Sequence, residues 1–235
     1  MPRESTGWSL AATHLLLATG AGAQKPPIID MHMHARTAAL RMPDGTPVPR
    51  PCEPQPCFTE VNAAAVEAGP VRGTIAAMER HNIVLGLLAG APRDLSAWKA
   101  ADPDTSRFLR ATFPGDIGND VERKLAALRQ RVASGEIAAF GEIGTQYEGI
   151  PPNDPRLAPY FALAEELDVP VLMHTAGLGA HAPKFRASNG RPLLLEEVVA
   201  RHPRLRISVE NAGYPFLDEM IALMTMYPNV HADVS

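Results

Sequence analysis

The sequence predicts an α/β fold of the (β/α)8 barrel type, incomplete, with seven strands in view. Three observations carry that expectation. From residue 28 onward short β-rich runs alternate with amphipathic helical patterns, as βα units around a parallel sheet do. The later units recur roughly every 30 to 35 residues, near the length of one such unit. The first strand runs into His-x-His, whereas an open nucleotide-binding sheet would need a Gly-rich phosphate loop there.

Taken in order, the chain opens with Arg3, an apolar stretch from Leu10 to Leu17 and the small-x-small run Ala21-Gly22-Ala23. This is the pattern of a signal peptide over residues 1–23, with cleavage expected before Gln24 and a single domain over 24–235. Export to the periplasm or outside the cell follows. The first strand is Ile28 to His34. A Pro-rich stretch over 43–56 then reads as one rigid loop, and within it Cys52 and Cys57 could close a small disulfide in an oxidising compartment or stay as two thiols. Strands follow at Ile83 to Ala89 and Phe108 to Thr112. Val121, Leu125, Leu128 and Val132 recur at helical spacing and stop before Gly135.

The fourth strand is Ile137 to Glu142. Asp154 as N-cap with Pro155 at the first helical position announces a helix whose apolar stripe is Leu157, Phe161, Ala164 and Leu167. Helix hands over to strand at Asp168-Val169-Pro170, Arg201-His202-Pro203 and Tyr227-Pro228-Asn229, which introduce strands at Val169 to His174, Leu205 to Glu210 and Val230 to Val234.

Composition narrows the function classes. The 235 residues are 46% apolar and 20% charged with a formal charge of −4, so there is no basic footprint and nucleic acid is not an expected partner. After the leader no stretch is long and apolar enough to span a bilayer, so no membrane partner is expected once it is cleaved. A small-molecule substrate is the expected partner, with a homo-oligomer left open.

Chemistry concentrates at strand ends. Side chains alternate along a strand, so His32 and His34 point the same way, with Cα atoms roughly 6 to 7 Å apart, and can reach one cation. By itself a His-x-His pair is equally compatible with a solvent-facing or hydrogen-bonded pair. Its position at the C-terminal end of a strand, where barrels keep their reactive groups, favours the metal. His174 ends the apolar run Val169 to Met173, and Glu142 stands between Gly141 and Gly144 with backbone room around its carboxylate. Together they suit a divalent ion that polarises a substrate oxygen or acidifies a bound water. The remaining histidines have plainer readings: His81 and His202 end helices, His181 sits in the loop after strand five, and His231 is left out of the site.

The His-x-His of strand one, Gly141-Glu142-Ile143-Gly144, the His of strand five and Asn211-Ala212-Gly213-Tyr214-Pro215 resemble the amidohydrolase-related family of the amidohydrolase superfamily, from about Ile28 to Ser235. The resemblance implies His32, His34 and His174 as metal ligands, and Glu142 as a ligand or bridge. Glu142 is also the first candidate for the base. One or two divalent ions are implied, zinc first among them. The implied activity is hydrolysis of an amide, ester or lactone-like bond by a metal-activated water. The alternatives are non-oxidative decarboxylation of an aromatic acid, or a barrel that binds metal without turnover. Two departures stand out. Asn211, preceded by Glu210, occupies the place of the family's strand-six His, and an amide does not titrate. The family's strand-eight Asp has no counterpart before Ser235, a truncation from which weak turnover is expected, and Asp233 on strand seven is not assigned its role.

Overall fold

The computed structural model describes residues 26–36, 69–102, 104–175 and 183–234. The expected leader, the Pro-rich loop with Cys52 and Cys57, and His181 lie outside the described residues. Strands β1 (Ile28–His34), β2 (Ile83–Ala89), β3 (Phe108–Thr112), β4 (Ala139–Ile143), β5 (Val171–His174), β6 (Ile207–Glu210) and β7 (Val230–Ala232) form one sheet in chain order. Every pairing is parallel. This is the incomplete (β/α)8 barrel that the alternation predicts.

The first three strands match their expected bounds, but β4, β5 and β6 each begin two residues late. The reason is local. Ile137, Val169 and Leu205 still donate their N–H to Arg131, Ala164 and His202, closing the preceding helix or turn before the ladder starts. At the far end β7 stops at Ala232, two residues short of the expected Val234.

Among the described residues six α-helices flank the sheet: α1 (Pro70–His81), α2 (Pro92–Ala101), α3 (Val121–Ala133), α4 (Ala158–Glu166), α5 (Glu196–Arg201) and α6 (Leu217–Met226). The stripe foreseen for α3 faces inward, with Leu128 buried and Val121, Leu125 and Val132 packed against the core. Asp154 caps as expected, its Oδ1 accepting the Arg156 N–H at 3.0 Å. What it starts is a 3-10 turn over Pro155–Leu157, and α4 begins only at Ala158. Pro159 explains the correction, because it has no N–H to return to the Pro155 carbonyl.

Strand alternation separates two faces. Phe140, Ile143, Val171, Met173, Ile207 and Val209 join residues of α3 to α6 in the main core, while Met33 and Leu88 pack with Met78, Leu95 and Trp98 of α1 and α2. Fully burying a Leu or Phe side chain contributes about 1.5 to 3 kcal/mol, so this helix-covered face holds the molecule together. The concave face carries a smaller cluster of Leu87, Ala89, Ala111, Ala139 and Leu172, with no helix residue in it. Its small side chains leave room at the C-terminal rim.

Candidate metal centre

On β1 the buried Met33 faces the helices, so its neighbours His32 and His34 face the concave side. Their rings meet edge to face with centroids 5.0 Å apart. His174 ends β5 on the same side as Leu172.

Glu142 reaches this group because β4 is irregular. Phe140 pairs with Val171 and Ile143 with Met173, three steps on β4 against two on β5. One residue is therefore extra, as in a bulge. Both Phe140 and Ile143 point into the helix-covered core, which breaks the alternation that would otherwise send Glu142 outward with Phe140. Gly141 makes the close passage possible. Its φ is +154°, and a Cβ there would lie 2.5 Å from Leu172 Cβ.

All four residues predicted from the sequence thus meet at one rim. Glu142 accepts a short hydrogen bond at His174 Nδ1, and its other oxygen lies 3.5 Å from His34 Nδ1. Candidate ligand atoms of His32, His34 and Glu142 all fall within 4.8 Å of one another.

Three residues join that the sequence reading did not assign. Glu210, at the end of β6, is in register with His174. It shares a 4.8 Å group with Glu142 and His174, and another with His32 and Asp233. Asp233, set aside as a strand-seven residue, lies 3.2 Å from His32 Nδ1 and also accepts the Asn211 N–H at 3.1 Å. The Tyr147 hydroxyl and His174 Nε2 share a hydrogen bond of 2.8 Å. The signal for Glu210 and Asp233 was alternation itself, since each lies two residues beyond a position on the concave side of its strand. Tyr147 sits on a 3-10 turn after β4, and no periodicity marks it. Asn211 takes a left-handed φ of 61°, and its amide donates to the Thr175 carbonyl at 3.2 Å. It therefore braces the rim where the family's His would stand. His231 is exposed on β7, in keeping with its exclusion.

The charges suit a cation. Burial works against ionising Glu142, but the His174 hydrogen bond and the nearby imidazoles outweigh it and hold its pKa below the usual carboxylate range. Burial pushes Glu210 upward, with the Glu142 carboxylate adding to the effect. Burial lowers His32, yet the Asp233 hydrogen bond and charge leave it raised, while His34 is lowered by burial. Three imidazoles and three carboxylates converge, and Glu210 is 0% exposed with no N–H or hydroxyl donor on either oxygen among the described residues, its hydrogen-bonding neighbour being the Glu142 carboxylate. Buried carboxylates without donors are unfavourable unless a positive charge meets them. The donor set therefore fits a divalent ion.

A family model described as amidohydrolase matches residues 29–235. Among solved structures, an uncharacterised TIM-barrel protein from Bordetella bronchiseptica is 19% identical with a TM-score of 0.59, over 89% of this chain and 75% of its own. A 4-oxalomesaconate hydratase from Rhodopseudomonas palustris is 20% identical with a TM-score of 0.48, over 88% and 74%. A 2,6-dihydroxybenzoate decarboxylase from Rhizobium is 16% identical with a TM-score of 0.49, over 83% and 69%. No curated protein matches the chain. The Bordetella likeness concerns the fold, and it agrees with the seven parallel strands. The family match takes in all seven strands but for Ile28, and every residue of the rim, and the chain belongs to the amidohydrolase family.

Proposed function

We propose that the chain is a metal-dependent hydrolase acting on an amide, ester or lactone-like bond of a small molecule, with His32, His34, Glu142 and His174 holding one or two divalent ions, zinc first among them. One observation carries the reading: imidazoles from β1 and β5 and a carboxylate from β4 converge on the C-terminal rim of the sheet, the side on which barrels of this class work. A divalent ion held there supplies Lewis acidity toward a substrate oxygen and toward water.

The chain's own groups do the rest. Asp233 accepts from His32 Nδ1 and leaves Nε2 facing inward, 3.8 Å from Glu210. Glu142 holds His174 Nδ1, which leaves Nε2, beside the Tyr147 hydroxyl at 2.8 Å, as the nitrogen that would meet an ion. Glu142, kept ionised by its imidazole neighbours, is the group we assign to accept the proton of the attacking water. His34 is the most open of the three imidazoles, so substrate is proposed to approach from its side. The leader pattern supports a periplasmic or secreted place of action, and the charge of −4 supports a small-molecule partner.

The test is reconstitution. Chelator-stripped protein is assayed with and without zinc against amides, esters, lactones and aromatic acids. Hydrolysis restored by zinc and abolished by His174→Ala is expected. Turnover indifferent to chelation would reject the reading, and carbon dioxide release from an aromatic acid without hydrolysis would replace it with decarboxylation.

A further inference from the structure

Glu210 is the one rim carboxylate that the reading above leaves without a task. On β6, Ile207 and Val209 enter the helix-covered core, so Ser208 and Glu210 face the concave side. Register sets Glu210 beside His174. Thr175 Oγ1 donates to the Glu210 carbonyl at 2.8 Å, and the neighbouring Asn211 amide donates to the Thr175 carbonyl, so the backbone that carries Glu210 is tied to Thr175 at two points.

The side chain is fully buried, no N–H or hydroxyl group among the described residues donates to either oxygen, and the side chain it hydrogen-bonds is another carboxylate, Glu142. Nor does any described lysine or arginine pair with it; its basic neighbours are imidazoles, His32 Nε2 at 3.8 Å from Oε1 and His174 within 4.8 Å. Its remaining polar neighbours include carboxylates, Glu142 on one side and Asp233 on the other. A carboxylate placed among like charges, out of water and without a donor, has no role in holding the fold that an apolar side chain would not fill better. It belongs to both ligand groups that do not contain His34. A cation in either group would meet its oxygens and remove the conflict.

Resting on the metal-centre reading, we infer that Glu210 is itself a metal ligand, its carboxylate completing from β6 the groups that His32 with Asp233 and Glu142 with His174 begin. Oxygen then makes up a larger share of the first coordination sphere than three imidazoles and one carboxylate provide. The site should accordingly accept harder, oxygen-preferring ions such as Mn²⁺ alongside zinc.

The test is Co²⁺ titration of the metal-free chain, followed by its visible absorption band, in wild type, Glu210→Gln, Glu210→Met and the double variant His32→Ala/His34→Ala, with thermal unfolding of each metal-free protein. Both Glu210 variants are expected to bind Co²⁺ about 10- to 100-fold more weakly or worse, since even partners behind the ligands are worth that much. Their Co²⁺ band should shift. Metal-free, they should unfold at or above the wild-type temperature, which a residue needed for the fold would not allow. Unchanged Co²⁺ affinity and band in the Glu210 variants, with binding lost in the histidine double variant, would overturn the inference and leave the metal centre standing. Metal-free Glu210 variants that unfold well below wild type would also overturn it. Wild-type binding by the histidine double variant would instead bring down the metal centre, and the inference with it.

Discussion

His32 shows how the nitrogen that faces away from the centre governs the one that faces it. Asp233 lies 3.2 Å from Nδ1, which fixes the tautomer and turns Nε2 inward. Replacing Asp233 by Ala should therefore weaken zinc binding by about 10- to 100-fold while leaving the circular dichroism spectrum unchanged, as competition with a chelating dye would measure. Glu142 makes a different prediction. If it accepts a proton during turnover, Glu142→Gln should lower kcat by about 10² to 10⁴ with zinc at saturation; equal turnover would assign that task elsewhere. At this scale His32, His34, His174 and Glu142 were legible, because strand ends of a barrel and neutral imidazoles are informative on their own. Glu210 and Asp233 were harder to read. A carboxylate at a strand end is usually solvated, and only register and burial show that these two are not.

Among the elements, β4 holds the site's tightest local requirement. The extra residue between Phe140 and Ile143 turns Glu142 to the rim, and Gly141 lets the backbone pass Leu172. Gly141→Ala should destabilise the fold by about 1 to 3 kcal/mol through overpacking, read as a lower unfolding temperature. It should also weaken metal binding by displacing Glu142. The motif Gly141-Glu142-Ile143-Gly144 was visible in the sequence, yet the irregularity was not, because periodicity reports which residues are apolar and not where a strand gains one. The approach to α3 allows a test by pH. Asp116 accepts from the Gly118 N–H at 2.8 Å, Asn119 Nδ2 at 2.9 Å and Lys124 Nζ at 3.2 Å. These hydrogen bonds, the Gly118 N–H first, hold its pKa down from 3.8 to about 2. A depressed carboxylate pKa means that its contribution to stability is present above 3.8 and is lost as pH falls through about 2. A carboxyl-carbon NMR titration of Asp116 should show its midpoint near the lower value; a midpoint at the ordinary one would show that the turn does not hold in solution.

For the molecule as a whole, the informative contact is the one between its two sheet ends. β1 and β7 are the terminal strands of the sheet, and His32 and Asp233, 201 positions apart in the chain, still meet at hydrogen-bonding distance. The curl of the sheet, and not any one βα unit, assembles the rim. That closure was only partly legible. Repeats, handovers and the absent phosphate loop pointed to a barrel, whereas a contact between first and last strands depends on accumulated twist that no local pattern encodes. The central claim is that this closed rim holds metal. Elemental analysis of protein purified without chelators measures it most directly, comparing wild type with His32→Ala/His34→Ala. Roughly one or two divalent ions per wild-type chain are expected, as a site of three imidazoles and facing carboxylates should retain them, with their loss in the double variant. Equal metal content in the two proteins would contradict the claim.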